Sequence, residues 1–425
     1  MKWLVWVLCL ELVGSSVPAK ADPSGDWALP NFAQRLNLEV SNPSQAVIHT
    51  LVTLPVAATA RFAPGFPGML AITVVVNPAG STYPVTIVPS QADDLDGDGQ
   101  PDEFEFPITL AAGERRQVEI YYSTTLSRRI VYPQRVHASH AYGYNRQTAT
   151  LESEIIGYRT YGGFLLDVQA RSAGRPGLYN DLVGFLAAHK NFAAGKDAFH
   201  VGDTLGLGGL FLRADGKIYR PPFNTPDYAH RPSRVDVPHY RVVADGPIRA
   251  IIEARLARWR IGTDQVALRA LYSIDAGDGF VRCRFHLLPL NVASGHAYEV
   301  GAGIRDLPAE KLNNGRGRLE LVGQQNAALG PLGLALYYDP TQAAPGAAIR
   351  TPEGQNQIVI FKQRLQPGEA VEGSYTVAAA WSRSGLGDLA QFLAAEQAQA
   401  RARVESTGER LEHTPQPDRI DGEAY

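Results

Sequence analysis

Cysteine is nearly absent from this chain of 425 residues, where only Cys9 and Cys283 carry a thiol. Cys9 falls inside an apolar amino-terminal stretch, so the rest of the chain has no second thiol for an intrachain disulfide. Long hydrophobic runs are missing after residue 21, which excludes an integral membrane helix in the body of the chain. An excess of one charge is missing too. Lys and Arg number 40 against 43 Asp and Glu, and no lysine-rich block occurs, so no field exists to hold nucleic acid or an anionic membrane. No H-E-x-x-H or H-x-x-x-H spacing is found and His137 with His140 forms a lone pair, which argues against zinc. The glycines after His200 lack a following Lys-Ser/Thr, so they make no phosphate loop.

What is present points to a turn-rich β protein: 41 Gly and 29 Pro, only two Met, and 45% hydrophobic residues. Lys2, the apolar run Trp3 to Leu10 and Ala19-Lys-Ala21 read as a signal peptide over residues 1–21, so a secreted or periplasmic protein is expected. Alternating segments at Leu36 to Val40, Val47 to Pro55, Leu70 to Val76, Tyr83 to Val88, Glu103 to Leu110 and Gln117 to Tyr122 predict a small β-sandwich over residues 36–126, opening with a hairpin around Ser41-Asn-Pro-Ser44. Residues 123–146 read as a linker. A large β-sandwich is expected over 127–382, with hairpins at Asp245-Gly246 and Ala276-Gly-Asp-Gly279. Leu386, Leu389, Leu393, Ala400 and Val404 fall at helical spacing, so 383–425 is expected as an amphipathic helix and a mobile tail.

One segment names a chemistry by itself. Asp94, Asp96 and Asp98, then Gly99, Asp102 and Glu105 at the twelfth position, follow the calcium-loop pattern, with Gln100 able to lend its carbonyl. Pro101 and strand-like flanks argue against an EF-hand, so a structural calcium turn between strands is expected, with a plain acidic turn as the alternative. No organic cofactor is implied.

Four stretches carry a family resemblance: Leu38-Glu-Val-Ser-Asn42, Asp94-Leu-Asp-Gly-Asp-Gly99, Glu152-Ser-Glu154 with Tyr158-Arg159, and His200-Val-Gly-Asp-Thr-Leu-Gly-Leu-Gly-Gly209. Over residues 36–380 the chain resembles a secreted bacterial family catalogued as domain of unknown function 4861. The resemblance implies a large domain of the galactose mutarotase type and, by association with polysaccharide-degrading enzymes, a carbohydrate role. It also implies a tryptophan before Glu-Ser-Glu, where Leu151 stands.

Candidate chemistry falls into three groups. Glu154, Tyr158 and Arg159, with Glu152 and Tyr161, can supply paired carboxylates for acid and base work, or pair with arginines on a strand. Alternation puts Arg249, Glu253, Arg255 and Trp259 on one face, and Arg282, Arg284 and His286 on the next. This is either a basic groove for an acidic sugar or a solvated face of cross-strand ion pairs. The segment from His200 and Asp203 to Gly209 and the loop Phe223 to Tyr240, with Asp227, Tyr228, His230, Arg231 and His239, complete the set. The expectation is that these groups converge in one cleft. The function expected is a glycoside hydrolase, or next a polysaccharide lyase, acting on a uronate-containing polysaccharide. The alternatives are a noncatalytic sugar-binding or cell-surface module and a sugar epimerase or mutarotase.

Overall fold

The computed structural model describes residues 27–125, 130–143, 146–160, 163–171, 195–222, 236–308, 311–325, 330–343, 349–350, 356–381 and 410–415. The signal peptide expected at 1–21, the loop residues Asp227, Tyr228, His230 and Arg231, and the helix expected over 387–405 lie outside them. The fold is mainly β, in two compact units: residues 1–133 with 398–425, and residues 134–397. Among the described residues no helix is long and apolar enough to cross a membrane.

The first unit is a small sandwich. One sheet runs in the order Arg410–Pro415, Gln34–Ser41, Arg115–Ser123, Leu70–Val76, Val85–Val88, and the other in the order Ile48–Pro55, Glu103–Leu110, Gln91–Asp93. Alternating Leu36, Leu38 and Val40 meet Val52, Leu54, Phe104 and Phe106 in a common core. Two expectations are corrected here. The strands around Ser41 to Ser44 form no hairpin but belong to different sheets. Asn42 explains the crossing, because its side-chain amide donates to Ala46 O and Ala111 O at 2.7 Å and ties the turn to the far end of the Glu103–Leu110 strand. The expected tail contains a strand, Arg410–Pro415, in antiparallel register with Gln34–Glu39.

The second unit is a large two-sheet sandwich. A ten-stranded sheet contains Val136–Gly143, Arg146–Ser153, Ile156–Thr160, Leu166–Arg171, Leu207–Ala214, Tyr298–Arg305 and Asn356–Leu365. An eight-stranded sheet contains His239–Asp245, Arg249–Ile261, Asp264–Asp275, Phe280–Asn291 and Val371–Trp381. Both expected hairpins occur. The expected linker instead contributes the strand Val136–Gly143, whose Val136 and Ala138 enter the core. Trp259 is a further correction. A bulge between Leu256 and Trp259 shifts the alternation by one residue, so Trp259 turns into the core, 3% exposed, while Arg249, Glu253 and Arg255 face outward.

Candidate functional site

The Ile156–Thr160 strand separates structure from chemistry by simple alternation. Tyr158 points into the space between the sheets, where its hydroxyl donates to Gly279 O at 2.6 Å and accepts from Ala379 N at 3.1 Å. A phenol buried in two satisfied hydrogen bonds to the opposite sheet is a structural pin, which removes Tyr158 from the catalytic candidates. Glu154 goes the same way. Arg135 Nε donates to it at 2.8 Å and Gly277 N at 3.0 Å, so the carboxylate fastens one hairpin turn to the other.

Arg159, the next residue along, points to the opposite side, away from the eight-stranded sheet. It is 1% exposed and ion-paired with Asp167, its register partner on the Leu166–Arg171 strand. Thr150 stands opposite Arg159 across the other neighbour, and Glu152, one pleat away, shares this face; both are buried. Ser139 Oγ and Thr150 Oγ1 lie 3.0 Å apart, and His137, in register with Glu152, approaches Asp245 at 2.9 Å. Burial pushes the Asp167 carboxyl above its ordinary value, with the Arg159 guanidinium and then the nearby His200 pulling against it.

The segment from His200 to Gly209 brings the exposed member of this group. His200 N donates to Gln325 Oε1 at 2.9 Å and His200 O accepts from Arg305, so the backbone is clamped from the Tyr298–Arg305 strand. Gly202 sits in the left-handed region at φ +59°. A Cβ at that glycine would lie 3.2 Å from Arg305 Nη1 and 3.8 Å from His200 Nε2, so imidazole and guanidinium meet over one bare backbone position. A histidine, two arginines and a carboxylate thus gather on a face that is not the core. His200 and Arg159 belong to the expected set. Asp167 and Arg305 do not, and the signal for Asp167 was a lone carboxylate in the apolar run Phe164-Leu-Leu-Asp-Val168.

The expected groove on the eight-stranded sheet is a separate surface on the opposite side of the sandwich. Glu253 accepts from Arg269 at 2.6 Å and Arg241 at 3.3 Å, with Arg255 at 3.5 Å. Burial alone would raise its pKa, but Arg269, then Arg255 and Arg241, outweigh it and hold the carboxyl below its ordinary value. Arg282 bridges the buried Asp275 and Asp278 at 2.7 and 3.1 Å, and His286 lies 3.7 Å from Glu372. With Arg284 on the same outer face, Glu253, Arg282 and His286 form a cross-strand ion lattice, which is the alternative reading. The convergence of His286 with Glu154, Tyr158 and His200 does not occur.

The calcium-type turn lies in the small sandwich. Carboxylate oxygens of Asp94, Asp96 and Asp102 lie within 4.8 Å of one another, an all-oxygen set suited to a hard cation. Burial lifts the Asp102 carboxyl above its ordinary value, and the charges on Asp96 and Asp94 push it the same way. Gly99 takes φ +89°, as the pattern requires. Asp98 and Glu105 stand outside this group. Asp98 accepts from Gln100 N at 2.8 Å, and Glu105 is fully buried on a strand, opposite Gln91 and Thr53. The reason is the pleat: the chain enters a strand at Glu103, so Phe104 and Phe106 take the core and Glu105 is committed to the other face.

The family profile described as Domain of unknown function (DUF4861) matches residues 40–404. The chain belongs to this family. Among curated proteins no sequence matches it. Two similar solved structures come from Enterococcus faecalis, a protein in glycosyl hydrolase family 38 and an alpha-mannosidase. Each is 9% identical and covers 90% of this chain, with TM-scores of 0.44 and 0.45. The chain spans about half of each, 48% and 46%. A putative aldose 1-epimerase from Klebsiella pneumoniae subsp. pneumoniae is 11% identical, covering 63% of this chain and 87% of its own at a TM-score of 0.32.

Proposed function

We propose that this family member is a secreted or periplasmic carbohydrate-active enzyme acting on a uronate-containing polysaccharide at the face that carries His200. The observation that carries the reading is the meeting of His200 and Arg305 over Gly202, beside the buried Arg159–Asp167 pair. A buried ion pair adds little net stability, so its place on a face outside the core argues for use rather than for folding. Of the two chemistries expected, this arrangement favours elimination over hydrolysis. Among the described residues, Glu152 and Asp167 are buried and the exposed Asp203 is held by Arg220 at 2.7 Å, whereas the histidine is exposed. In an elimination, His200 would take the proton next to the uronate carboxylate while Arg305 neutralises that carboxylate. The electron pair then forms the ring double bond, the bond to the glycosidic oxygen breaks, and the departing alkoxide takes a proton from solvent water, while His200 later returns its proton to solvent. Arg159 and Asp167 act as positioning residues.

Incubation with oligouronates should give a product with new ultraviolet absorbance, and His200→Asn should lower kcat by about a hundredfold or more. Reducing ends without absorbance would select the hydrolase. Binding without either product would select the noncatalytic module, a reading favoured by the scatter of Glu154, Tyr158 and His286.

For the small sandwich we propose a structural calcium ion held by Asp94, Asp96 and Asp102. At an ion concentration of about a hundred times Kd, calcium should stabilise that unit by about 2.7 kcal/mol. A chelator should therefore lower its melting temperature in the wild type and leave an Asp94→Ala, Asp96→Ala variant unchanged. Equal responses would remove the ion.

A further inference from the structure

We propose that a cavity of about 350 Å³ at one end of the large sandwich, lined by Tyr219, Arg220, Pro221, Pro222, Trp259 and Arg260, is a subsite for an anionic sugar ring. This rests on the carbohydrate reading above but uses a different set of side chains. The cavity lies where the short Lys217–Tyr219 strand, paired with Leu212–Ala214, comes up against the far end of the Arg249–Ile261 strand. The bulge at Leu256/Trp259 sets its lining: by shifting the alternation it turns Trp259 inward, where it closes the floor, and leaves Arg260 outward, so the strand supplies a cation at the rim.

The lining is matched to one ligand chemistry. The half-buried Tyr219 ring and Pro222 offer flat apolar surface for the C–H face of a pyranose, and the guanidinium groups offer paired donors for a carboxylate or sulfate. Tyr219 is already fixed, its ring set edge-on against Tyr298 at 6.1 Å and 87°, with Lys217 Nζ 5.1 Å from its centre. Such a wall needs no ordering when a sugar arrives. Both arginines already stand beside a carboxylate. Asp236 is gripped by Arg258 Nε and Nη2 at 2.6 and 3.1 Å and stands 3.5 Å from Arg260, whose side chain is 51% exposed. Arg220 pairs with Asp203 at 2.7 Å, a carboxylate 85% exposed, so the pair is screened by water and can share a ligand anion. Arg220 Nη1 also reaches Thr204 O at 3.3 Å, which puts the cavity within one arginine's length of the segment that carries His200. A polymer lying across that segment would leave one acidic ring in this cavity.

The test is titration calorimetry with three probes: an oligogalacturonate, the same oligomer with its carboxyls reduced to alcohols, and a sulfated neutral oligosaccharide. The wild type should bind the first or the third, and the reduced oligomer about tenfold or more weakly, one charge-assisted contact being lost per site. Arg220→Gln with Arg260→Gln should weaken the anionic probe by about tenfold or more, and Tyr219→Ala should do likewise. The preferred probe tells carboxylate from sulfate. If the cavity variants bind as the wild type does, or the reduced oligomer binds equally well, the subsite is wrong. Turnover of the oligogalacturonate by the wild type then shows whether the reading at His200 still stands. If neither anionic probe binds, the subsite falls. If binding follows the cavity variants and no product ever forms, the enzyme reading falls and the subsite stands.

Discussion

Exchanging Arg159 for leucine should destabilise the large unit by about 3–5 kcal/mol, because Asp167 is then left charged, buried and without its principal cation. For a unit of this size that is a fall of roughly 10 °C in melting temperature. The partner change is the informative one. With Asp167→Leu added, no uncompensated charge remains, and the double variant should recover most of the loss, since well-packed apolar replacements of buried ion pairs are commonly neutral or better. Oligouronate turnover should stay absent in the double variant. A stable and inactive double variant would mean that the pair serves the site, whereas a double variant as unstable as Arg159→Leu would mean that it serves the fold.

The second large effect concerns a glycine. A Cβ placed on Gly209 would come within 2.9 Å of the Leu205 Cα and carbonyl carbon, and nearer still to its oxygen. These are backbone atoms, so the segment from His200 to Leu205 has to move. Neighbouring Gly206 and Gly208, at φ +54° and +71°, hold the chain in the left-handed region that makes this approach possible. Gly209→Ala should therefore cost about 1–3 kcal/mol in a urea titration, of the order found for overpacked cores. It should also abolish turnover, because Leu205 lies five residues from His200 and is anchored there through its N–H to Asn356 at 2.8 Å. Full activity in that variant would detach His200 from the chemistry.

Much of the architecture was legible because period-2 alternation is a local property. Leu36 to Val40, Glu103 to Leu110 and Phe280 to Leu288 all lie within strands as their spacing predicts. What alternation does not encode is which face looks where once a strand is irregular or a partner is distant. Trp259 was assigned to the wrong face because a single extra residue in a bulge reverses every side chain beyond it. Tyr158 and Arg159 read as one motif in sequence, yet the pleat sends the first into the core and the second to the far side of the same sheet. The groove residues Glu253, Arg282 and His286 were legible as a charged face, but not as one on the opposite side of the sandwich from His200. Asp167 and Arg305 are charges at the edges of apolar runs, and their meaning depends on contacts with Arg159 and His200 that no spacing reveals. The calcium-type turn lay between these cases: its aspartates are local and do gather, whereas Glu105 is claimed by a strand.

The strand Arg410–Pro415 has one more consequence, for the order in which the molecule can be completed. Its backbone partner, Gln34–Glu39, leaves the ribosome before the large unit, and the strand itself leaves after it. The large sandwich is spliced into the small one as an insertion between those two events. Until Arg410–Pro415 has been made, the first sheet carries a bare edge at Gln34–Ser41, a row of unmated amide groups open to any passing strand. Cutting the gene after residue 381 would make that transient state permanent, turning a late step of assembly into a standing site for self-association.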